Sequence, residues 1–97
     1  MRKVTQQAAA AFHGSRKFKS GATQVNPRLG GVELVLHGSV IAREIDGGGL
    51  SVNLCGYPTK VTRERLNSLH GVSISQDKGI QYLNGEVMPE NGWVKIS

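Results

Sequence analysis

The chain has 97 residues, of which 38% are hydrophobic, and it carries a formal net charge of +5. This length predicts a single domain over residues 1–97, with no room for a second one. Cys55 is the one cysteine, so the fold has no internal disulfide, which is typical of the reducing cytoplasm. No apolar run approaches the ~20 residues needed to cross a bilayer, so we expect no membrane partner.

The positive charge is concentrated at one end of the chain. Residues 1–32 contain six Lys and Arg residues and no carboxylate, whereas the other six cations nearly cancel the seven carboxylates. This asymmetry is typical of a protein that contacts nucleic acid or an acidic protein. It is also found in small domains whose basic surface is only solvated.

A short amphipathic helix is predicted over residues 4–12, because apolar side chains recur at helical spacing and four consecutive alanines favour a helix. Gly14 follows and suits the left-handed position after a helix. The basic segment 15–21 comes next, and we expect Phe18 to anchor it to the core. Residues 23–25 are predicted to form a short strand, which Pro27 should end.

Residues 31–55 have the longest period-two hydrophobic pattern in the chain. Three β-branched runs are separated by turns at 38–39 and 46–49, which predicts an antiparallel meander. The glycine run 47–49 joins two strands, whereas a phosphate-binding loop joins a strand to a helix. We therefore interpret it as a hairpin loop.

A second helix is predicted over residues 60–69, with Thr59 as its N-cap. Its apolar residues Val61, Leu66 and Leu69 should face the sheet. The opposite side should then point to solvent, and it carries Lys60, Arg63, Glu64 and Asn67.

The C-terminal part returns to strands, predicted at residues 72–75, 80–83, 86–88 and 93–96. Asn84 and Gly85 predict a type I′ hairpin turn. The fold class is therefore predicted as α+β: a mostly antiparallel sheet, made of the meander plus the C-terminal hairpin, with two short helices packed on it. Strands 23–25 and 93–96 could be sheet edges that pair between copies, so the oligomeric state stays open.

The chemically reactive side chains show no catalytic or metal-binding pattern. His13, His37 and His70 are each followed by glycine and are dispersed, so we expect no metal site and no cofactor. Cys55 is interpreted as a small buried apolar residue. A catalytic role would require His37, Cys55 and a carboxylate to meet in one cleft.

Six basic residues are the candidate contacts for a protein partner or a nucleic acid. We expect Arg63 and Arg65 on the outer side of the second helix, together with Lys60, and a continuous surface with the basic segment. Few aromatic residues accompany these cations, which disfavours recognition of nucleic acid by stacking. The candidate residues are Arg16, Lys17, Lys19, Lys60, Arg63 and Arg65.

Several short motifs are similar to those of a group of small proteins encoded in tailed-bacteriophage genomes. The matching features span nearly the whole chain, namely residues 16–20, 23–25, 33–42, 56–59, 62–67, 71–72, 82–86 and 93–95. The resemblance implies a phage origin and brings no reaction or binding residues with it.

Small phage proteins of this kind commonly bind a host or defence complex in the infected cell. We therefore expect a non-enzymatic accessory protein that modulates or inhibits a host macromolecular complex, in host takeover or in a manner similar to anti-CRISPR inhibitors. The alternative is a small basic DNA- or RNA-binding accessory protein.

Overall fold

The computed structural model describes residues 2–46 and 48–96; the first glycine of the expected 47–49 loop lies outside them, as do Met1 and Ser97. The described residues form two helices, α1 (Lys3–His13) and α2 (Lys60–Asn67). The strands are β1 (Phe18–Ser20), β2 (Thr23–Arg28), β3 (Gly31–Leu36), β4 (Ser39–Ile45), β5 (Leu50–Val52), β6 (Ile74–Asp77), β7 (Ile80–Leu83), β8 (Glu86–Val87) and β9 (Val94–Lys95).

The strands form two antiparallel sheets, which confirms the predicted α+β class. The larger sheet has the order β1-β2-β3-β4-β5-β9, and the smaller one has the order β6-β7-β8. The predicted meander is the β3-β4-β5 part of the larger sheet. The C-terminal hairpin forms the smaller sheet by itself, while β9 returns to pair with β5 at one edge, where an edge strand was predicted.

The other edge of the large sheet is β1, which belongs to the basic segment. The prediction that residues 23–25 form an edge is therefore wrong, because β2 lies between β1 and β3. Pro27 does not end β2 but lies opposite Val32 of β3. β1 pairs with β2 only as far as Val25, so no strand lies beside Pro27 on that side. Proline, which has no backbone N–H to donate, is therefore tolerated there.

A β-bulge modifies the alternation in the meander. Leu34 lies opposite Ala42. The next residue, Val35, lies opposite Val40, so Ile41 is an extra residue in β4. Ile41 and Ala42 are consecutive and both buried, because the bulge turns both toward the core.

The end of α1 differs by one residue from the prediction. Gly14 has φ −91°, and it is Ser15 that adopts the left-handed conformation, with φ 51°. The N–H of Arg16 donates to the carbonyl of Ala11, and that of Ser15 to Phe12. This pair of bonds is a Schellman motif, which requires the left-handed residue at Ser15.

Helix α2 begins as predicted and ends two residues early. The Thr59 side chain accepts a hydrogen bond from the N–H of Thr62, which confirms the N-cap. At the other end, the Asn67 amide accepts from the N–H of Ile74 at 2.5 Å and donates to its carbonyl at 3.0 Å. Asn67 is exposed as expected, but its amide group pairs with the start of β6.

The core lies between the helices and the inner face of the large sheet. Ala8 and Phe12 of α1 and Leu66 of α2 are buried there, and Leu69 lies just beyond α2 in the same cluster. Val61 and Phe18 are half-buried against this cluster, so Phe18 anchors the basic segment as predicted.

Leu66 and Leu29 form a matched pair of leucines for testing this core. Leu66→Ala should lower the free energy of unfolding by roughly 2–5 kcal/mol, because Leu66 is fully buried and a cavity would remain. Leu29→Ala should change it by less than about 0.5 kcal/mol, because that side chain is fully exposed. Urea unfolding measures both, and equal losses would show that the assigned core is wrong.

Candidate functional site

Arg65 is buried, which corrects the prediction that it lies on the outer side of α2. Its side chain retains 6% exposure. Nε donates to Thr23 Oγ1 of β2 at 3.2 Å, and Nη1 donates to Thr5 Oγ1 of α1 and to Glu64 Oε1 at 2.9 Å. Arg65 therefore joins both helices to the sheet and is not a contact residue. We call Thr5, Thr23, Glu64 and Arg65 the Arg65 cluster.

Glu64 also belongs to this cluster, although the sequence predicted it to face solvent. The hydroxyl of Thr5 donates to Glu64 Oε1 at 2.6 Å, and Arg2 Nε lies 3.7 Å from the same oxygen. The Thr5 hydrogen bond, with Arg2 and Arg65 nearby, holds the pKa of Glu64 below its usual range. The carboxylate therefore stays charged and balances the buried guanidinium.

The prediction that Arg63 points freely to solvent is wrong, because Arg63 is half-buried and its side chain has partners within the protein. Its Nη1 donates to the carbonyl of Pro58 at 2.7 Å and to Gln76 Oε1 at 2.8 Å, with Gln81 Oε1 at 3.4 Å. These bonds connect α2 to the small sheet. Charge reversal at Arg63 would therefore disturb the fold as well as any contact.

The remaining four candidate residues are exposed. Arg16 and Lys17 border one shallow depression with Phe18, whereas Lys60 borders another with Arg63, Glu64 and Asn67. The two depressions have no lining residue in common. Because Arg65 is buried and Arg63 is engaged, the structure does not join the six residues into one exposed basic surface.

Two histidines that the sequence placed apart lie in contact. The rings of His13 and His70 stack with 4.0 Å between their centroids. The backbone N–H of His70 donates a hydrogen bond to His13 Nε2 at 3.2 Å. Burial lowers the pKa of His13, and the nearby His70 lowers it further against the opposing effect of Glu44. Within residues 2–46 and 48–96 no three potential metal ligands cluster.

A solvent-open cleft of about 440 Å³ lies between the β3–β4 turn, the segment before α2 and the first turn of α2. We call it the Tyr57 cleft, because Tyr57 borders it and is 64% exposed. Its walls come from two separate parts of the chain, residues 36–41 and 55–62, and the sequence analysis did not find it. The lining residues are Leu36, His37, Ser39, Ile41, Cys55, Tyr57, Thr59, Val61 and Thr62.

Cys55 lies in the wall of this cleft together with His37. The Cys55 Sγ–H donates to the carbonyl of Val40 at 3.2 Å, and burial raises the pKa of the thiol. No carboxylate lines the cleft among the described residues. The structure thus brings His37 and Cys55 to one cleft, with the cysteine held as a neutral thiol.

These features define a small basic α+β protein with an open apolar cleft and separate basic surfaces. None of its described helices is both long and apolar enough to cross a membrane. The chain belongs to a protein family of tailed cyanophages, because the family model described as "Kyanoviridae Gp96 protein" matches residues 1–96. This match confirms the phage resemblance. No curated protein and no solved structure matches the chain.

Arg65→Met should lower the free energy of unfolding by about 1–3 kcal/mol, because it keeps most of the apolar stem but leaves the buried Thr23 hydroxyl without its partner. Lys60→Met is the matched control on the same helix. Lys60 is exposed, so its substitution should cost less than about 0.5 kcal/mol. Thermal or urea unfolding compares the two, and an equal effect would contradict the structural role of Arg65.

The His13 contact should make stability depend on pH near neutrality. The folded-state pKa of His13 lies below 6.5, so its contribution is fully present above pH 6.5. The contribution is lost as the pH falls toward the lowered pKa, because protonation removes the Nε2 acceptor. Unfolding midpoints between about pH 7.5 and pH 5.5 measure this loss.

The control for this pH dependence is a comparison of two single variants. His13→Gln should flatten the decline, whereas His37→Asn, at an exposed turn position with φ 51°, should preserve it. Asparagine is suited to that left-handed conformation. A decline that survives in His13→Gln would assign it to other groups.

Proposed function

We propose that the protein is a non-catalytic phage accessory factor that binds a host macromolecular complex in the cytoplasm of the infected cell and modulates or inhibits it. The observation that carries this proposal is the Tyr57 cleft. Membership of a phage family supports an action inside an infected cell, and the cleft supplies a place for a partner.

The cleft has the properties of an anchor pocket in a protein interface. Its volume of about 440 Å³ lies within the range of about 300–1,000 Å³ typical of binding pockets. Leu36, Ile41 and Val61 supply apolar wall, and Thr59 and Thr62 supply hydroxyl groups. A large apolar side chain of a target protein would bury its surface there, with Tyr57 closing over it.

The chemistry of Cys55 supports binding in preference to nucleophilic catalysis. A cysteine nucleophile acts as a thiolate, and such residues have lowered pKa values beside a positive charge or an activating base. The pKa of Cys55 is instead raised, and its Sγ–H donates to a backbone carbonyl. In this arrangement Cys55 contributes a small, weakly polar wall.

Nucleic-acid binding through the basic segment is the second candidate. Arg16, Lys17 and Lys19 are exposed at the β1 edge of the large sheet, and they would contact phosphate groups without sequence readout. Arg65 takes no part in this alternative because it is buried.

Tyr57→Ala should reduce the capture of a specific protein from a cyanobacterial host lysate. The lysate is treated with nuclease, and the tagged protein is the bait. Truncation of an aromatic anchor typically costs about 2 kcal/mol or more, which corresponds to a roughly 30-fold loss of affinity. Quantitative mass spectrometry of the captured proteins measures the loss.

Val87→Ala is the matched control, because Val87 is 70% exposed and lies on the small sheet away from the cleft lining. It should capture the same protein as the unmodified chain. Recovery of no specific protein, or equal recovery with both variants, would contradict the proposal. Circular dichroism establishes that both variants are folded.

A further inference from the structure

The six-stranded sheet has one face covered by the core and one face that the helices do not cover. Val25, Leu34, Ala42 and Val52 lie in the core cluster, so their neighbours along each strand point to the other side, except for the bulged Ile41, which also faces the core. Val35 shows this division. It is buried, but it does not belong to the core cluster.

The uncovered side carries mostly positive charge. We call it the open face, and define it by the strand residues that alternate with the core residues. Among the described strand residues, the open face carries four cations and one carboxylate. The members used in the argument are Lys19, Asn26, Arg28, Glu33, Arg43, Ser51 and Lys95.

The strand register aligns five of these residues in one row across the sheet. Asn26 lies opposite Glu33, which lies opposite Arg43. Arg43 lies opposite Ser51, which in turn lies opposite Lys95. Four strand spacings of about 4.8 Å give the row a length of roughly 19 Å. The row ends at the β9 edge with a cation.

Trp93 adds an aromatic ring to this row. The guanidinium carbon of Arg43 lies 4.1 Å from the centroid of the Trp93 ring, and Trp93 as a residue retains 38% exposure. Trp93 directly precedes β9, and its contact with Arg43 places it on the same side as Lys95. A planar cation and an indole, already stacked, provide a surface on which a base can stack at low conformational cost.

Glu33 moderates the charge of the open face and positions one of its cations. Arg28 Nε donates to Glu33 Oε1 at 2.9 Å, while the Arg28 side chain remains 61% exposed. The carboxylate therefore holds Arg28 over the sheet without covering it. A phosphate approaching Arg28 or Arg43 would be repelled by Glu33, so removing this charge should strengthen polyanion binding.

We propose that the open face binds single-stranded nucleic acid. The phosphates contact Lys19, Arg28, Arg43 and Lys95, and a base stacks on Trp93. A sheet surface with cations and a stacking ring suits a single strand, whose bases are free to lie on it. Groove recognition of a duplex uses a projecting helix or β-ribbon, and the open face consists of paired strands. The site is separate from the Tyr57 cleft.

The test is a titration of fluorescein-labelled 15-nucleotide oligo(dT) and oligo(U) at low salt, followed by anisotropy. Trp93 is the single tryptophan of the chain, so its fluorescence reports contact at the proposed site. We expect binding with quenching of Trp93. The logarithm of affinity should fall with log salt at a slope of about −3, from four phosphate contacts at about −0.7 each.

Paired variants separate the open face from general positive charge. Arg43→Ala/Lys95→Ala should weaken binding at least tenfold, whereas Arg16→Ala/Lys17→Ala, with the same loss of charge off the open face, should weaken it less than threefold. Glu33→Gln should tighten it. Thermal melting of each variant confirms that it is folded.

Tyr57→Ala should leave oligonucleotide binding unchanged, so this result and the host-protein capture succeed or fail separately.

Several outcomes would overturn the proposal. One is absence of binding at low salt, and another is an equal loss in the two double variants. Tighter binding of a duplex of the same length would assign the charge to duplex contact. A Trp93 response to a poly-glutamate peptide that exceeds the response to oligonucleotides would assign the open face to an acidic protein surface.

Discussion

The buried guanidinium of Arg65 is the constraint on which the arrangement of the fold depends. A charge in the interior is tolerated only when it is paired and its donors are hydrogen-bonded. Thr5, Thr23 and Glu64 meet this need from α1, β2 and α2, so both helices must lie on the same face of the large sheet. The core leucines add stability to this arrangement, and the Arg65 cluster links its three elements by hydrogen bonds.

Placing both helices on one face gives the molecule two different sides, the helix side and the open face. The helix side closes over the core and leaves the Tyr57 cleft beside the start of α2. On the other side the cationic side chains of Arg28, Arg43 and Lys95 are exposed. The two proposed binding surfaces are therefore consequences of a single packing choice.

The two sides are connected through the polypeptide that precedes β9. Asn53 Oδ1 accepts hydrogen bonds from the N–H groups of Cys55 and Gly92, and the N–H of Gly56 donates to the carbonyl of Glu90. These bonds fix the cleft wall to the segment that leads into Trp93. A displacement of this segment would affect both surfaces together.

Several local features of this protein could be predicted from its sequence. Period-two alternation, the Thr59 cap and the Asn84-Gly85 turn depend on neighbouring residues, so the meander, the start of α2 and the last hairpin were predicted correctly. The resemblance to tailed-phage proteins was also recognised from short motifs spread over the chain. The exposure of Arg16, Lys17, Lys19 and Lys60 followed from their polarity.

Only the tertiary structure decided which distant residues meet. Arg65 looks like a surface residue in its helix, because its partners Thr5 and Thr23 lie at least 42 positions away. The same holds for the stacked His13 and His70, 57 positions apart. The pairing of β9 with β5 likewise creates the row that ends in Lys95. Such contacts depend on how elements pack, and local periodicity carries no record of their partners.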